Sequence, residues 1–386
     1  MNFSQAKHTK PCLYDAIILG TGIAGLGCGI ALARAGKKVL MIDRKLSAGE
    51  ATPAAAGILD PVLAMHPASP LLVLGLKAFA RYPAMIRRLH RESGVKTDYE
   101  KIGMLYVAMS GREGRALKRK YRWQSRLGIS MIWKDRNALQ KEYSGISASA
   151  QGGLYYPDIS RVNPQKLKRA LLKLARNLGV RMIKIHQFNL DLSGRHVLKT
   201  LLWNRRRFEA PHVINAMGSW SGRIPLGGMR VPVKPVRGQI MILKGRLPLT
   251  TMIHSLDRTY IVPWKRGQFL IGSTLESAGF ASRVTASGLR KIRTSLEKMV
   301  PAVRGFKRIQ SWAGLRPYPK DQRPLIGPTP VTGYYFATGY YRSGILIGMY
   351  AGELLARGIL SGKMPSILSG FNPQRFFKKG RSNKGA

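Results

Sequence analysis

The chain has 386 residues, too many for one small core, and its 45% apolar content is that of a folded enzyme. Two cysteines, Cys12 and Cys28, exclude a disulfide framework, and seven scattered histidines with no HxxxH or HExxH pair predict no metal site. Lysine and arginine total 65 against 18 acids, a formal charge of +47, densest at Lys118 to Arg122, Arg205 to Arg207 and the tail. This reads as a general basic bias on solvated faces, ahead of a dedicated nucleic-acid surface, although such a field attracts polyanions whatever the fold.

Tyr14 to Arg44, YDAIILGTGIAGLGCGIALARAGKKVLMIDR, organises the chain. Ala16 to Leu19 is a short apolar run ending at Gly20, Gly22 and Gly25, a helical pattern follows to Ala35 with Gly36 at its end, and Lys38 to Ile42 reads as a second buried strand. Gly20 permits the turn, Gly22 admits a pyrophosphate against the backbone, and Gly25 lets helix pack on strand. The helix N-terminus then faces phosphates, and Asp43, 18 residues after Gly25, suits a ribose diol. Together these predict dinucleotide binding. Ala16 to Ala33 carries no charge over 18 residues, but its five glycines and charged brackets make it a poor membrane span. The charged start, broken by Pro11 and Asp15, does not fit a signal peptide, so a cytoplasmic protein is expected.

Gly49 to Leu59 is a loop of small residues, suited to backbone lying flat on a planar ligand or to a helix starting near Thr52 with Pro53 at its first position. Ser69 to Leu89 is helical by spacing, with Leu72, Leu76, Phe79 and Met85 on one stripe and Pro83 as a kink or break. Lys101 to Met109 reads as a strand and Arg112 to Leu127 as a basic helix whose Tyr121 and Trp123 suit sheet packing better than base stacking. Pro164 to Leu178 is a clean amphipathic helix, with Leu167, Ala170, Leu171, Leu174, Ala175 and Leu178 on one face. Val180 to Ile185 returns as a strand, and His212 to Ala216 is another, ending in a turn at Met217, Gly218 and Ser219. These separated strand-turn units predict one parallel sheet.

From Pro232 the texture changes to short strands at Gln239 to Leu243, Thr259 to Val262 and Phe269 to Gly272, then a helix over Ser287 to Met299, which predicts an antiparallel sheet with a covering helix. Trp312 to Pro317, WAGLRP, leads to a strand at Gly333 to Thr338 and an apolar helix over Gly344 to Leu360. Beyond Phe377 a basic disordered tail is expected.

The fingerprint with Asp43, the loop Ala54 to Ile58, the helix after Asn163-Pro164, Asn215 to Gly218, WAGLRP and Gly339 to Leu346 (GYYRSGIL) together resemble the FAD-dependent D-amino-acid oxidase superfamily, and within it the glycine oxidases. Leu74 to Ala108 strengthens the resemblance, which covers about residues 14 to 376. It implies an α/β plus α+β fold. A Rossmann-like FAD-binding domain is expected at 1–90, 155–231 and 318–376, with an inserted substrate domain carrying an antiparallel sheet at 91–154 and 232–317, and a tail at 377–386.

Position by position, the resemblance implies cofactor contacts at Gly20, Gly22, Ile23, Ala24, Gly25, Asp43 and Arg44 around the adenosine and pyrophosphate. It implies others at Thr52, Ala56, Gly57 and Ile58 nearer the flavin, at Phe188 near the adenine, at Gly218, and along Tyr340, Tyr341, Arg342, Ser343, Gly344, Ile345 and Leu346 beside the isoalloxazine. Arg316 takes the place of the carboxylate-binding arginine, with Tyr260 assisting and Arg342 at the flavin N1/C2=O side. The chemistry agrees, because a guanidinium holds a carboxylate through two parallel N–H groups and a flavin accepts a hydride. By residue type alone, in a chain so rich in arginine, Arg316 reads as an ordinary structural ion pair, and its place in the family pattern between Trp312-Ala313-Gly314 and Pro317 favours the substrate role. Glycine oxidases often carry histidine and asparagine around the flavin-side arginine where this chain has Tyr340 and Ser343, and Leu275 is expected to face the site after Ser273-Thr274.

The expected reaction is oxidation of glycine or another small amino acid to its imine, with O2 reduced to peroxide, for thiazole and thiamine synthesis. The alternatives are a flavin-dependent enzyme acting on an N-carboxymethylaminomethyl group of tRNA, which the basic charge suits, and a quinone-linked D-amino-acid dehydrogenase. The residues leave the oligomeric state open; a homo-oligomer is compatible with them.

Overall fold

The computed structural model describes residues 10–46, 51–62, 69–143, 145–192, 199–204, 206–224 and 231–377. Gly49, Arg205 and the expected tail beyond Phe377 lie outside them. Seven helices order the described chain: α1 (Ile23–Arg34), α2 (Pro70–Ser93), α3 (Gly111–Ser125), α4 (Arg136–Glu142), α5 (Pro164–Asn177), α6 (Ala286–Met299) and α7 (Gly344–Ser361).

A six-stranded sheet runs in the order Arg181–Lys184, Val39–Asp43, Ala16–Leu19, His212–Asn215, Tyr334–Thr338, Leu325–Pro328. Its strands are parallel apart from the last, which is antiparallel to its neighbour. The two fingerprint strands read as unbroken apolar runs because both faces are covered. Ala16, Ile18, Val39 and Met41 face helices, while Ile17, Leu19, Leu40 and Ile42 face a second core with Leu201 and Phe208 of a four-stranded sheet. On the helical side α1 crosses α7 at glycines: a Cβ on Gly352 would lie 2.5 Å from the Cys28 nitrogen, and one on Gly27 would lie 2.9 Å from the Met349 Cα. The small residues of this stretch are therefore a packing surface. α7 is long and apolar enough to cross a membrane by composition, yet 72% of it is buried inside the fold.

An eight-stranded sheet carries the other half of the site, in the order Lys307–Pro319, Val233–Lys244, Gln268–Gly272, Tyr260–Lys265, Met252–Ser255, Met104–Ala108, Gly152–Tyr156, Ile132–Lys134. Its pairs are antiparallel except Met252–Ser255 with Met104–Ala108. Helix α6 covers one face through Leu289, Ile292, Leu296 and Met299.

Three expectations need correction. WAGLRP is no connector but the second half of the 13-residue strand Lys307–Pro319. Its prolines argue against a central strand; at the sheet edge they are tolerated. The loop after Ala51 makes a turn and the short strand Ile58–Leu59 rather than a helix at Thr52, because Gly57, at φ +79°, brings its backbone against the Val162 carbonyl. Helix α2 runs unbroken through Pro83. Its inner stripe is Leu74, Ala78, Tyr82, Ile86 and Leu89; Leu76, Phe79 and Met85 are only half-buried. Burial along that stripe offsets the roughly 3 kcal/mol cost of an interior proline.

Candidate active site

The glycine turn meets the sheet where two strand ends come together. Gly20, at φ +110°, has no room for a side chain, since a Cβ would lie 2.5 Å from the Ala216 carbonyl oxygen. Gly25 closes the other side, with its Cβ position 2.2 Å from the Gly20 oxygen. Gly22 differs: an added Cβ would have only the Thr52 hydroxyl near it, at 3.7 Å, so its backbone faces open space. Thr52 Oγ1 accepts the Ile23 N–H at 3.2 Å, and the first turn of α1 carries no acidic residue. The open backbone at Gly22 and the positive end of α1 suit an anion.

Asp43 ends the neighbouring strand at the same cavity. Its Oδ2 accepts the Thr21 N–H at 2.7 Å and the Thr21 hydroxyl at 2.8 Å, while Oδ1 accepts Lys45 N–H at 3.0 Å. Thr21 thus ties the turn to the acid. Arg44 lies 3.7 Å over the Trp220 ring, which itself packs on Phe280 at 4.2 Å.

This cavity holds Gly20, Gly22, Ile23, Ala24, Asp43, Arg44, Thr52, Phe188, Gly218 and Gly344. A second holds Ala56, Gly57, Ile58, Tyr260, Arg316 and Ser343. Tyr340, Tyr341, Arg342 and Ile345 line both, so the two adjoin. Gly25 and Leu346 line neither. Gly25 acts through packing, and Leu346 points into the helical core. Leu275 does not line the second cavity either, where Ser273 does. At the junction Tyr341 takes a left-handed φ of +48°, its N–H donating to the Pro317 carbonyl at 3.0 Å and its ring edge-on to Tyr318. A non-glycine residue held there marks a position the surroundings over-determine.

In the second cavity Arg316 donates from Nη1 to the Thr274 carbonyl at 2.9 Å and from Nη2 to Ser273 Oγ at 2.8 Å. Among the described residues it makes no ion pair with a carboxylate. A guanidinium has five N–H donors, so three remain for a ligand. Burial lowers its pKa, the Tyr260 hydroxyl opposes that shift, and the charges of Arg342 and Arg258 add to it. Tyr260 is buried beside it and hydrogen-bonded to Ser273; burial raises its pKa.

The sequence reading missed the residues that shape this clamp. A Cβ on Gly238 would lie 2.1 Å from Arg316 Nη1, and one on Gly272 would lie 2.2 Å from the Tyr260 hydroxyl. Isolated glycines inside strands are the available signal for such close approach. Also missed were Asp60, Tyr106, His254, Arg258 and Gln322. The Asp60 carboxylate accepts the Tyr106 hydroxyl and, at 2.8 Å, the Val62 N–H. His254 Nδ1–H donates to the Ser255 carbonyl at 2.5 Å, and burial, reinforced by Arg342, lowers its pKa to about 3, so it is neutral at physiological pH. Trp312 Nε1 donates to the Ala54 carbonyl at 3.1 Å and so fastens the small-residue loop to the sheet.

A glycine turn at the strand ends of a parallel sheet suits a dinucleotide, and the adjoining cavity holds the half-buried Arg316. The chain belongs to the FAD dependent oxidoreductase family DAO, whose model matches residues 15–357. It is 29% identical over 350 residues to a glycine oxidase of Geobacillus kaustophilus, covering 89% of this chain and 92% of that one. It is 28% identical to the bifunctional protein ThiO/ThiG of Synechocystis over 94% of its own length, and spans about half, 54%, of that longer protein. The crystal structure of the Geobacillus kaustophilus glycine oxidase superposes with a TM-score of 0.88 at 27% identity, covering 94% of this chain and 99% of that one. The protein is an FAD-dependent oxidoreductase. The open backbone at Gly22, where a Cβ would project into the cavity, suits the pyrophosphate of that cofactor.

Proposed function

We propose that the chain oxidises glycine or another small amino acid, the overall reaction taking amine and O2 to imine and hydrogen peroxide. The observation that carries this is Arg316, with spare donors and no carboxylate partner among the described residues, in a cavity adjoining the glycine cradle. FAD would be held by a body built from 1–90, 155–231 and 318–376, its phosphates at Gly20 to Ala24, its ribose by Asp43, and its ring system near Thr52, Ala56 to Ile58 and Tyr340 to Ile345. When bound, it supplies the acceptor for the hydride leaving the substrate Cα.

The rest is positioning. Arg316 and the Tyr260 hydroxyl grip the α-carboxylate and so fix where Cα sits. Asp60 lines the same cavity, its carboxylate held by the Tyr106 hydroxyl and the Val62 N–H. Arg342, next to the N-terminus of α7, would set positive charge beside the ring system with the cofactor bound. Neutral His254 adds no competing charge beside Tyr260. The glycine-oxidase and ThiO/ThiG likenesses support a role in supplying the imine, or its hydrolysis product glyoxylate, to thiazole assembly for thiamine.

A panel of glycine, sarcosine and small D-amino acids, mixed anaerobically with the yellow protein, tests the reading. Bleaching of the flavin band followed by peroxide on admitting air is expected. A flavin that stays oxidised with every amine would overturn it.

A further inference from the structure

Glycine needs one guanidinium for its carboxylate, and this cavity has three. Besides Arg316 and Arg342 it is lined by Arg258, at the tip of the turn joining Met252–Ser255 to Tyr260–Lys265. Arg258 sits at φ +82°, a left-handed conformation that costs a non-glycine residue energy. The turn beneath it is braced: Asp257 accepts the Thr259 N–H at 2.9 Å, the Ser255 hydroxyl and, at 2.6 Å, the Ser295 hydroxyl from α6. The Arg258 N–H donates to the Ser255 carbonyl at 3.2 Å. Arg258 therefore lines the cavity from a braced turn, with its side chain exposed.

Its guanidinium makes no hydrogen bond or ion pair within the described protein, and its field reaches Arg316, where it opposes the charge. Two like charges facing one space are relieved by an anion between them or by one on each. Asp60, the carboxylate lining this cavity, is already engaged with the Tyr106 hydroxyl and the Val62 N–H.

We infer that Arg258 is the receptor for a second carboxylate, and that the preferred substrate is an amino dicarboxylate. Its α-carboxylate sits on Arg316 and Tyr260 and its distal carboxylate on Arg258. The inference rests on the amino-acid oxidase reading, and it sets that reading's substrate class. The distal group lies at the exposed mouth, so it adds binding energy without entering the chemistry. Such a charged, partly solvated contact is expected to be worth about tenfold to a hundredfold in kcat/KM.

The test compares iminodiacetate, D-aspartate and D-glutamate with glycine and sarcosine on the FAD-loaded enzyme, beside a titration of the non-reacting acids succinate and acetate followed by the flavin spectrum. The expected result is at least one dicarboxylate exceeding glycine in kcat/KM by about tenfold or more, with succinate binding tighter than acetate by a similar factor. In Arg258→Gln both ratios should collapse toward one, and Arg258→Lys should restore part of each. Equal preference in the wild type, or ratios untouched by Arg258→Gln, would overturn the inference. Should no amine bleach the flavin, the oxidase reading fails, while the succinate and acetate titrations still decide the role of Arg258.

Discussion

Replacing Gly238 with alanine tests whether the strand geometry, and not arginine content alone, makes the clamp. The new Cβ would fall 2.1 Å from Arg316 Nη1 and 2.3 Å from both its guanidinium carbon and Nη2. Ordinary contact needs about 3.5 Å, so the guanidinium must retreat by more than an ångström. It is the far end of a flexible side chain, so the sheet survives and the displacement falls on the head group and its bonds to Thr274 and Ser273. A misplacement of about 1 Å in a positioning group can cost about a hundredfold, or roughly 2.7 kcal/mol at 1.36 kcal/mol per decade. Steady-state peroxide assays on Gly238→Ala should show kcat/KM lower by about that factor, mostly through KM, with flavin content kept because Gly238 lines the second cavity alone. Wild-type kinetics would refute the placement of Arg316 over Gly238.

Gly22→Ala should fold, since its Cβ would meet only the Thr52 hydroxyl at 3.7 Å, yet purify without flavin because the methyl occupies the pyrophosphate approach; the ratio of visible to ultraviolet absorbance measures this. For pH, His254 has a folded value of about 3 against an ordinary 6.5. Between these values the unfolded chain binds a proton that the folded one does not. The stability from burying neutral His254 is thus complete above pH 6.5 and lost as pH falls toward 3, at up to about 1.4 kcal/mol per pH unit. Thermal melts of His254→Gln should show a shallower acid limb than the wild type.

The cradle was legible because its chemistry is local: three glycines, a strand on each side and an acid at fixed spacing all lie within one crossover. Arg316 was legible only through resemblance, since by residue type an arginine in so basic a chain reads as an ordinary structural ion pair. What stayed hidden depends on register between distant strands. Gly238 meets Arg316 because Val236 pairs with Arg316 and Gly238 with Gly314 across an edge strand whose prolines disguise it. Asp60 and Arg258 come from a turn and a hairpin tip with no motif around either, and only the closed sheet brings them to the same cavity.

The most direct measurement is a crystal structure of the FAD-loaded protein with acetate as a non-reacting carboxylate. The account predicts pyrophosphate against Gly20 to Ala24, the ring system beside Tyr340 to Ile345, and acetate on the Arg316 guanidinium and the Tyr260 hydroxyl. Acetate bound away from Arg316, or a flavin ring system that does not border the cavity containing Arg316, would contradict it.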